Sequence, residues 1–406
     1  MIQPIEMSLT NLEAEFGKDR VQKAIESVGN FQIEIPSWIF GEFGGGRFSG
    51  YMPPGFARSI SEKLDDAALV NQLTGATEQV ALHVLWDLSA NGADGDYAQA
   101  KSVYETAREK GLRVGSISPT CFLDGTYRGS FAAEEASTRQ RFVDQTLFAG
   151  QVAGEFGTHL ITLWVPDGSI YPGQVQLRRA INNVHSSVRQ AYEKLDPSVS
   201  LLIEYKLFEP GTYSTVISDW GSAYMLAKSL GPNAGVLVDM GHHAHGTNIE
   251  QIVARLIADG MWCGFHFNTR YAADDDHAVE PSGEMARIFY ELVSGQAINQ
   301  PDPAKNWAYM IDQCSGRENR IHAILHSVDS LQISLAKAML VDSKILESYQ
   351  AKDDIIRANR YFNNALLHAD VRPIVQAARL SKNLPLDPVE AYVESGYQSK
   401  IESERK

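Results

Sequence analysis

The stretch GVLVDMGHHAHGTNIEQIVARLIADGMWCGFHFN, residues 235–268, contains a complete alternation of two kinds of hydrophobic pattern. Gly235 to Met240 is a short apolar run bounded by glycine, which reads as a buried strand. Ile249, Ile252, Val253, Leu256 and Ile257 then recur at helical spacing and form one apolar stripe. Thr247 and Glu250 stand ahead of that stripe as a T-x-x-E capping box, and Gly260 supplies the left-handed residue that ends such a helix. A second short run, Gly264 to Phe267, follows. Strand, amphipathic helix and strand in this order are the unit of a parallel sheet with crossover helices.

The same alternation extends in both directions. Further apolar runs occur at Phe31 to Ile35, Val80 to Trp86, Arg113 to Ile117, Leu160 to Val165, Leu201 to Tyr205 and Trp307 to Ile311, making eight strand candidates with helical stretches between them. Gly75, Gly111, Gly231 and Gly295 follow helical patterns as Gly260 does. The expected fold is α/β: a (β/α)8 barrel over residues 31–318, preceded by a helical segment at 1–30. No linker rich in Pro, Ser or Gly divides it, and no two units look alike in sequence. Residues 319–406 change to nearly continuous helix, Arg320 to Ala351 and Asp353 to Ala378, with a polar tail ending in KIESERK. This C-terminal helical extension either serves subunit contacts or packs as a cap on its own barrel.

With 406 residues and 44% hydrophobic content the chain can bury a large core. Its formal charge of −14 disfavours nucleic acid and anionic membrane as partners, because both select clustered Lys and Arg. Three scattered cysteines, Cys121, Cys263 and Cys314, make neither a disulfide framework nor a thiolate zinc site, which fits a reducing cytoplasm. The N-terminus lacks an apolar leader, and no run of apolar residues is long enough to span a bilayer.

In such a barrel the functional groups stand at the carboxyl ends of the strands. There, LLIEYKLFEP presents Glu204 and Lys206 on one face, and GVLVDMGHH ends in Asp239 with His242 just beyond. GFHFNTRYAADDD places His266 and Asn268 on one face with Asp274 and Asp276 in the loop, and WAYMIDQ ends in Asp312. Four successive strands thus deliver Glu204, Asp239, His266 and Asp312 to one rim, a thiol-free ligand set suited to a hard or borderline cation. His242, Asp274 and Asp276 lie close in sequence to the first set and point to a second metal beside it. The bland readings are a helix cap for each strand-end Asp and a solvated charge run for the Asp triplet, and His243, His245 and His277 are read as ordinary loop residues. His83 in VALHVLWD is either a hydrogen-bonding partner for a ligand hydroxyl or carbonyl, or a satisfied core histidine. Trp86 and Trp164 at strand ends could stack on a sugar or simply fill the core. The segment GEFGGGRFSGYMPP at 41–54, carrying Phe43, Phe48 and Tyr51, is either a closing loop or a plain long one.

At EYKLFEP (204–210), STVISDWGSAY (214–224), VDMGHHAHGTNIE (238–250) and HFNTRYAADDD (266–276) the chain resembles the L-rhamnose isomerases, particularly the broad-specificity bacterial branch that also converts D-allose and D-allulose. The likeness runs from about residue 30 to 380 and implies a xylose-isomerase-like TIM barrel. It implies a structural metal on Glu204, Asp239, His266 and Asp312, and a catalytic metal on His242, Asp274 and Asp276. The two are divalent ions, Mn²⁺ first, with Co²⁺, Mg²⁺ or Zn²⁺ as substitutes. Lys206, His242 and Asp276 become the catalytic residues, and His83, Trp164 and Lys206 contact the sugar. A homotetramer is implied as well. After HFN this chain has Thr269 and Arg270 where many relatives carry an acidic or Ser-Lys context, which leaves substrate preference open. The expected reaction is interconversion of L-rhamnose and L-rhamnulose, or D-allose and D-allulose, by a metal-assisted 1,2-hydride shift. The competing reaction is ketose 3-epimerisation on a related barrel, which needs two opposed carboxylates around a single metal. A barrel metallonuclease would need a basic groove, and a sugar-binding protein without turnover would be missing a ligand or Lys206.

Overall fold

The computed structural model describes residues 2–41, 54–89, 95–121, 123, 125–171, 173–208, 214–270, 277–302, 305–313 and 318–405. Eight parallel strands follow one another in chain order: β1 (Ile35–Pro36), β2 (Gln79–His83), β3 (Arg113–Ser118), β4 (Leu160–Trp164), β5 (Ser200–Glu204), β6 (Ala234–Asp239), β7 (Gly264–Phe267) and β8 (Ala308–Ile311). The ring closes where Glu34 bridges Met310: Glu34 N–H donates to Tyr309 O at 2.8 Å and Ile311 N–H to Glu34 O at 2.9 Å. The expected (β/α)8 barrel is therefore present. Its strands read as almost unbroken apolar runs because both faces are buried, one in the barrel and one under helices.

Each strand is followed by a helix, and the eighth, Arg320–Met339, packs against Gly283–Ser294, Lys18–Asn30 and Ile60–Thr74. The last β/α unit thus takes its helix from the segment beyond residue 319. The remaining C-terminal helices are broken rather than continuous: Ser343–Gln350, Ile355–Asn363, a π-turn at Asn364–His368, Arg372–Ser381, Pro388–Ser395 and Tyr397–Glu404. Asp342 explains the first break, since its Oδ1 caps Lys344 N and Ile345 N and so starts a new helix. Asp353 in the left-handed region (φ 55°) makes the second. The expected polar tail is also packed: Arg405 is 8% exposed and bound to Asp66.

Two local expectations are corrected. No T-x-x-E capping box forms, for the helix Ile249–Ala258 starts at Asn248 without a side-chain cap. Glu250 is turned to the next helix instead, accepting from Arg287 Nε at 2.8 Å. Gly295 has φ −82°, and Gln296 makes the left-handed turn. The glycine is there for space, because a Cβ would lie 2.7 Å from Ile257 Cδ1 and 2.8 Å from Glu291 O. Among the described residues no single helix is long and apolar enough to cross a membrane.

Candidate functional site

Leu160, Leu202, Leu237 and Met310 meet in a small apolar cluster separate from the main core. They form a plug in the barrel, and its strands continue upward with a strict period of two. Two residues beyond Leu202 stands Glu204, two beyond Leu237 stands Asp239, and two beyond Met310 stands Asp312. On β7 the lower position is Gly264, where a Cβ would lie 2.6 Å from Leu202 Cδ1, and the upper one is His266. The alternation that aims leucines into the plug therefore aims four ligand-type side chains into the space above it.

Those four converge. One ligand atom from each of Glu204, Asp239, His266 and Asp312 lies within 4.8 Å of the others. His266 Nδ1 is 3.1 Å from Glu204 Oε1, 3.5 Å from Asp312 Oδ2 and 3.7 Å from Asp239 Oδ2. His242 joins them, its Nδ1 3.3 Å from Glu204 Oε1 and 3.7 Å from Asp239 Oδ1. Its companions in the expected second trio, Asp274 and Asp276, lie outside the described residues, as do Phe43, Phe48, Tyr51 and Cys314.

The charges of the cluster are strongly coupled. Burial pushes Glu204 up, but His266 and His242 together outweigh it and hold the carboxyl well below the usual range. Burial lifts Asp239 to about 6, opposed by His242 and reinforced by Glu204. His266 is pushed down by burial and up more strongly by Glu204, Asp312 and Asp239, reaching about 10. Three carboxylates in one desolvated space thus demand positive charge. Asp239 Oδ2 is buried without a hydrogen-bond partner among the described residues, although the other oxygen accepts from Asn268 Nδ2 at 3.0 Å and Gly241 N at 2.8 Å. An orphaned carboxylate oxygen facing imidazole and two further carboxylates fits a divalent cation. The buried Glu/Asp/His cluster could bind a metal ion.

Lys206 is 7% exposed, and its Nζ lies 5.1 Å from the centre of the Trp164 ring. A short antiparallel pair, Gly168–Ser169 with Ser214–Thr215, continues above β4 and β5, and Lys206 N donates to Ile217 O at 3.0 Å. The pair fixes the backbone from which Lys206 projects. His83 ends β2, its ring 4.9 Å from Trp38 and 4.3 Å from Trp86. Burial drives it down to about 4, with Glu204 and His266 among the charges it senses. It therefore stands beside the cluster as a neutral imidazole.

Several supports were not legible beforehand. Trp38 Nε1 donates to Asp312 Oδ1 at 2.9 Å across 274 residues of chain. Asn268, seen to share a face with His266, turns out to hold Asp239. His243, expected to be an ordinary loop residue, is 5% exposed, and its Nε2 lies 2.7 Å from the Tyr205 hydroxyl. It braces the turn that carries His242, whereas His245 and His277 are exposed. Thr269 and Arg270 serve the scaffold: Thr269 Oγ1 donates to Ala278 O, and Arg270 pairs with Glu284 while donating to Ala244 O and Thr247 O.

A family model of the xylose isomerase-like TIM barrel matches residues 82–295. The chain belongs to the xylose isomerase-like TIM barrel family. It is 36% identical to a probable sugar isomerase of Rhizobium meliloti over 93% of its own length and 87% of that protein. The same values hold for a probable sugar isomerase of Mesorhizobium japonicum. Among solved structures, an L-ribulose 3-epimerase superposes with a TM-score of 0.53 at 11% identity, covering 80% of this chain and 98% of that one. A xylose isomerase domain protein from Alicyclobacillus acidocaldarius gives 0.52 at 12% identity, covering 76% and 99%. At these identities the two structures show that this family's barrel is shared, and no more.

Proposed function

We propose that this chain is a metal-dependent aldose–ketose isomerase, with L-rhamnose and L-rhamnulose as its first candidate pair and D-allose and D-allulose as its second. The observation that carries the reading is the convergence of Glu204, Asp239, His266 and Asp312 within 4.8 Å above a closed apolar plug. The names of the Rhizobium and Mesorhizobium relatives support the sugar.

Glu204, Asp239, His266 and Asp312 would hold one divalent ion, and His242, Asp274 and Asp276 a second, with Mn²⁺ the first choice and Co²⁺, Mg²⁺ or Zn²⁺ alternatives. Such ions supply Lewis-acid polarisation of adjacent oxygens on the open-chain sugar, which favours a hydride shift between C1 and C2. The protein's part is orientation and proton handling. Lys206 meets a sugar oxygen with a charged donor, Trp164 offers a flat apolar face, and His83 hydrogen-bonds a further oxygen. His242 and Asp276 would handle the hydroxyl proton as it moves between O1 and O2. The expected assembly is a homotetramer, which light scattering reads directly.

The test is to strip the protein with a chelator, add back Mn²⁺, and screen L-rhamnose, D-allose and other aldoses for ketose. Ketose formation that depends on the added ion supports the reading, and its absence with every sugar overturns it. D-allulose presented alone separates isomerisation to D-allose from 3-epimerisation to D-fructose. Solvent deuterium appearing stoichiometrically at C1 or C2 would replace the hydride shift by an enediol path.

A further inference from the structure

Thr120 lies just beyond β3, is fully buried, and touches His83. Its Oγ1 is 3.0 Å from His83 Nδ1 and accepts from Leu85 N at 3.1 Å. A threonine hydroxyl has one proton to give and lone pairs to receive. With Leu85 N–H occupying a lone pair, the proton of Thr120 has one acceptor among the described residues, His83 Nδ1. The reverse arrangement, with Nδ1 protonated, would leave that hydroxyl proton buried and unsatisfied, which is costly. The remaining contacts prevent the pair from shifting. Thr120 N donates to Gln145 Oε1 at 2.5 Å, and His83 N donates to Asp87 Oδ2 at 2.8 Å.

Asp87 is the carboxylate nearest in sequence, yet it is consumed elsewhere. It accepts from Ser37 Oγ at 2.6 Å and Lys63 Nζ at 2.8 Å as well as from the His83 backbone. No carboxylate is therefore hydrogen-bonded to the His83 ring among the described residues, and the charged groups it senses are Asp87, Lys63, Glu204 and His266. The Trp38 and Trp86 rings cover its sides.

We propose that Thr120 is a positioning residue: its hydroxyl donates to Nδ1 of His83, holds the ring as the neutral form protonated on Nε2, and makes His83 a fixed donor to a sugar oxygen. Under this arrangement His83 selects for an acceptor oxygen at its subsite and does not exchange protons with the substrate. The sugar part of the proposal rests on the isomerase reading, and the tautomer part does not.

The tautomer is read without any sugar. In protein labelled with ¹⁵N-histidine, the His83 signals are assigned by their loss in His83→Asn and followed by long-range proton–nitrogen correlation from about pH 5.5 to 8.5. A single neutral Nε2–H pattern throughout is expected, with mixed tautomers in Thr120→Val and the native pattern kept in Thr120→Ser. An Nδ1–H pattern, a protonated ring at neutral pH, or a Thr120→Val spectrum identical to wild type overturns the proposal. On the converted sugar, Thr120→Val should raise KM about tenfold with kcat less affected, and Thr120→Ser should recover to within about twofold. An ionisation of His83 in the wild-type kcat/KM profile overturns the donor role. Failure of every sugar would refute the isomerase reading and the sugar part together, while the spectra still decide the tautomer.

Discussion

Glu34 is the clearest case of a single residue set against its surroundings. It sits in the barrel wall, 3% exposed, with Ser116 Oγ donating to its Oε1 at 2.5 Å, and Gly115 is glycine because a Cβ would stand 2.6 Å from the carboxyl. Burial lifts its pKa from 4.5 to about 7. The folded protein thus keeps a proton that the unfolded chain has released, and stability falls as pH rises from 4.5 through about 7, with the full deficit present above it. Glu34→Gln keeps the acceptor and removes the ionisation. Its melting temperature should match wild type at about pH 4 and gain on it as pH rises to about 8, an advantage on the order of a few kcal/mol when complete. A constant difference across that range would show that Glu34 does not titrate there. Trp38 is a second such residue, since its indole N–H orients Asp312 of the four-residue cluster. Trp38→Phe keeps the ring and loses the donor to Asp312, and Mn²⁺ titration should show affinity reduced about 10- to 100-fold. Unchanged affinity would mean that Asp312 is oriented without it.

At the scale of elements, the order of strands and crossover helices follows directly from local pattern, although the run Phe31 to Ile35 is strand only at Ile35–Pro36 and the run Val80 to Trp86 leaves the sheet after His83, with Val84–Asp87 helical. Of the expected stripe, Ile249, Ile252, Val253 and Leu256 are buried and Ile257 is half-buried against the core, and β7 has the expected bounds, Gly264–Phe267. Helix ends followed less well, because Glu250 and Gly295 respond to neighbours on other helices that no local window contains. Strand packing sets its own demands. Gly235 opens the interior stretch of β6, and a Cβ there would lie 1.9 Å from Trp262 O and 3.0 Å from Leu202 Cδ2. Since the nearest atom is backbone, Gly235→Ala must displace the chain entering β7. Urea unfolding should show a loss of about 1–3 kcal/mol or more, and a variant as stable as wild type would mean that the two segments can part freely.

Across the whole molecule, the ring is locked where distant parts of the chain meet. Arg405 donates to Asp66 Oδ2 at 2.7 Å, to Asp66 Oδ1 at 2.9 Å and to Gly55 O at 3.0 Å, so the last helix clamps the helix of the first β/α unit. Removing one member of such a buried pair leaves the other charge unpaired. Arg405→Ala should therefore cost about 3–5 kcal/mol in thermal unfolding, and adding Asp66→Leu should recover part of it. No recovery in the double variant would assign the loss to packing alone. Amino-acid order by itself determined the eight-unit barrel and the placing of Glu204, Asp239, His266 and Asp312 at strand ends, because side-chain periodicity is a property of neighbouring residues. Only the tertiary structure decided that Trp38 holds Asp312, that Thr120 faces His83, that Glu34 is enclosed and that Arg405 reaches Asp66. Those pairings depend on strand stagger and helix docking, which exist only once the barrel has closed.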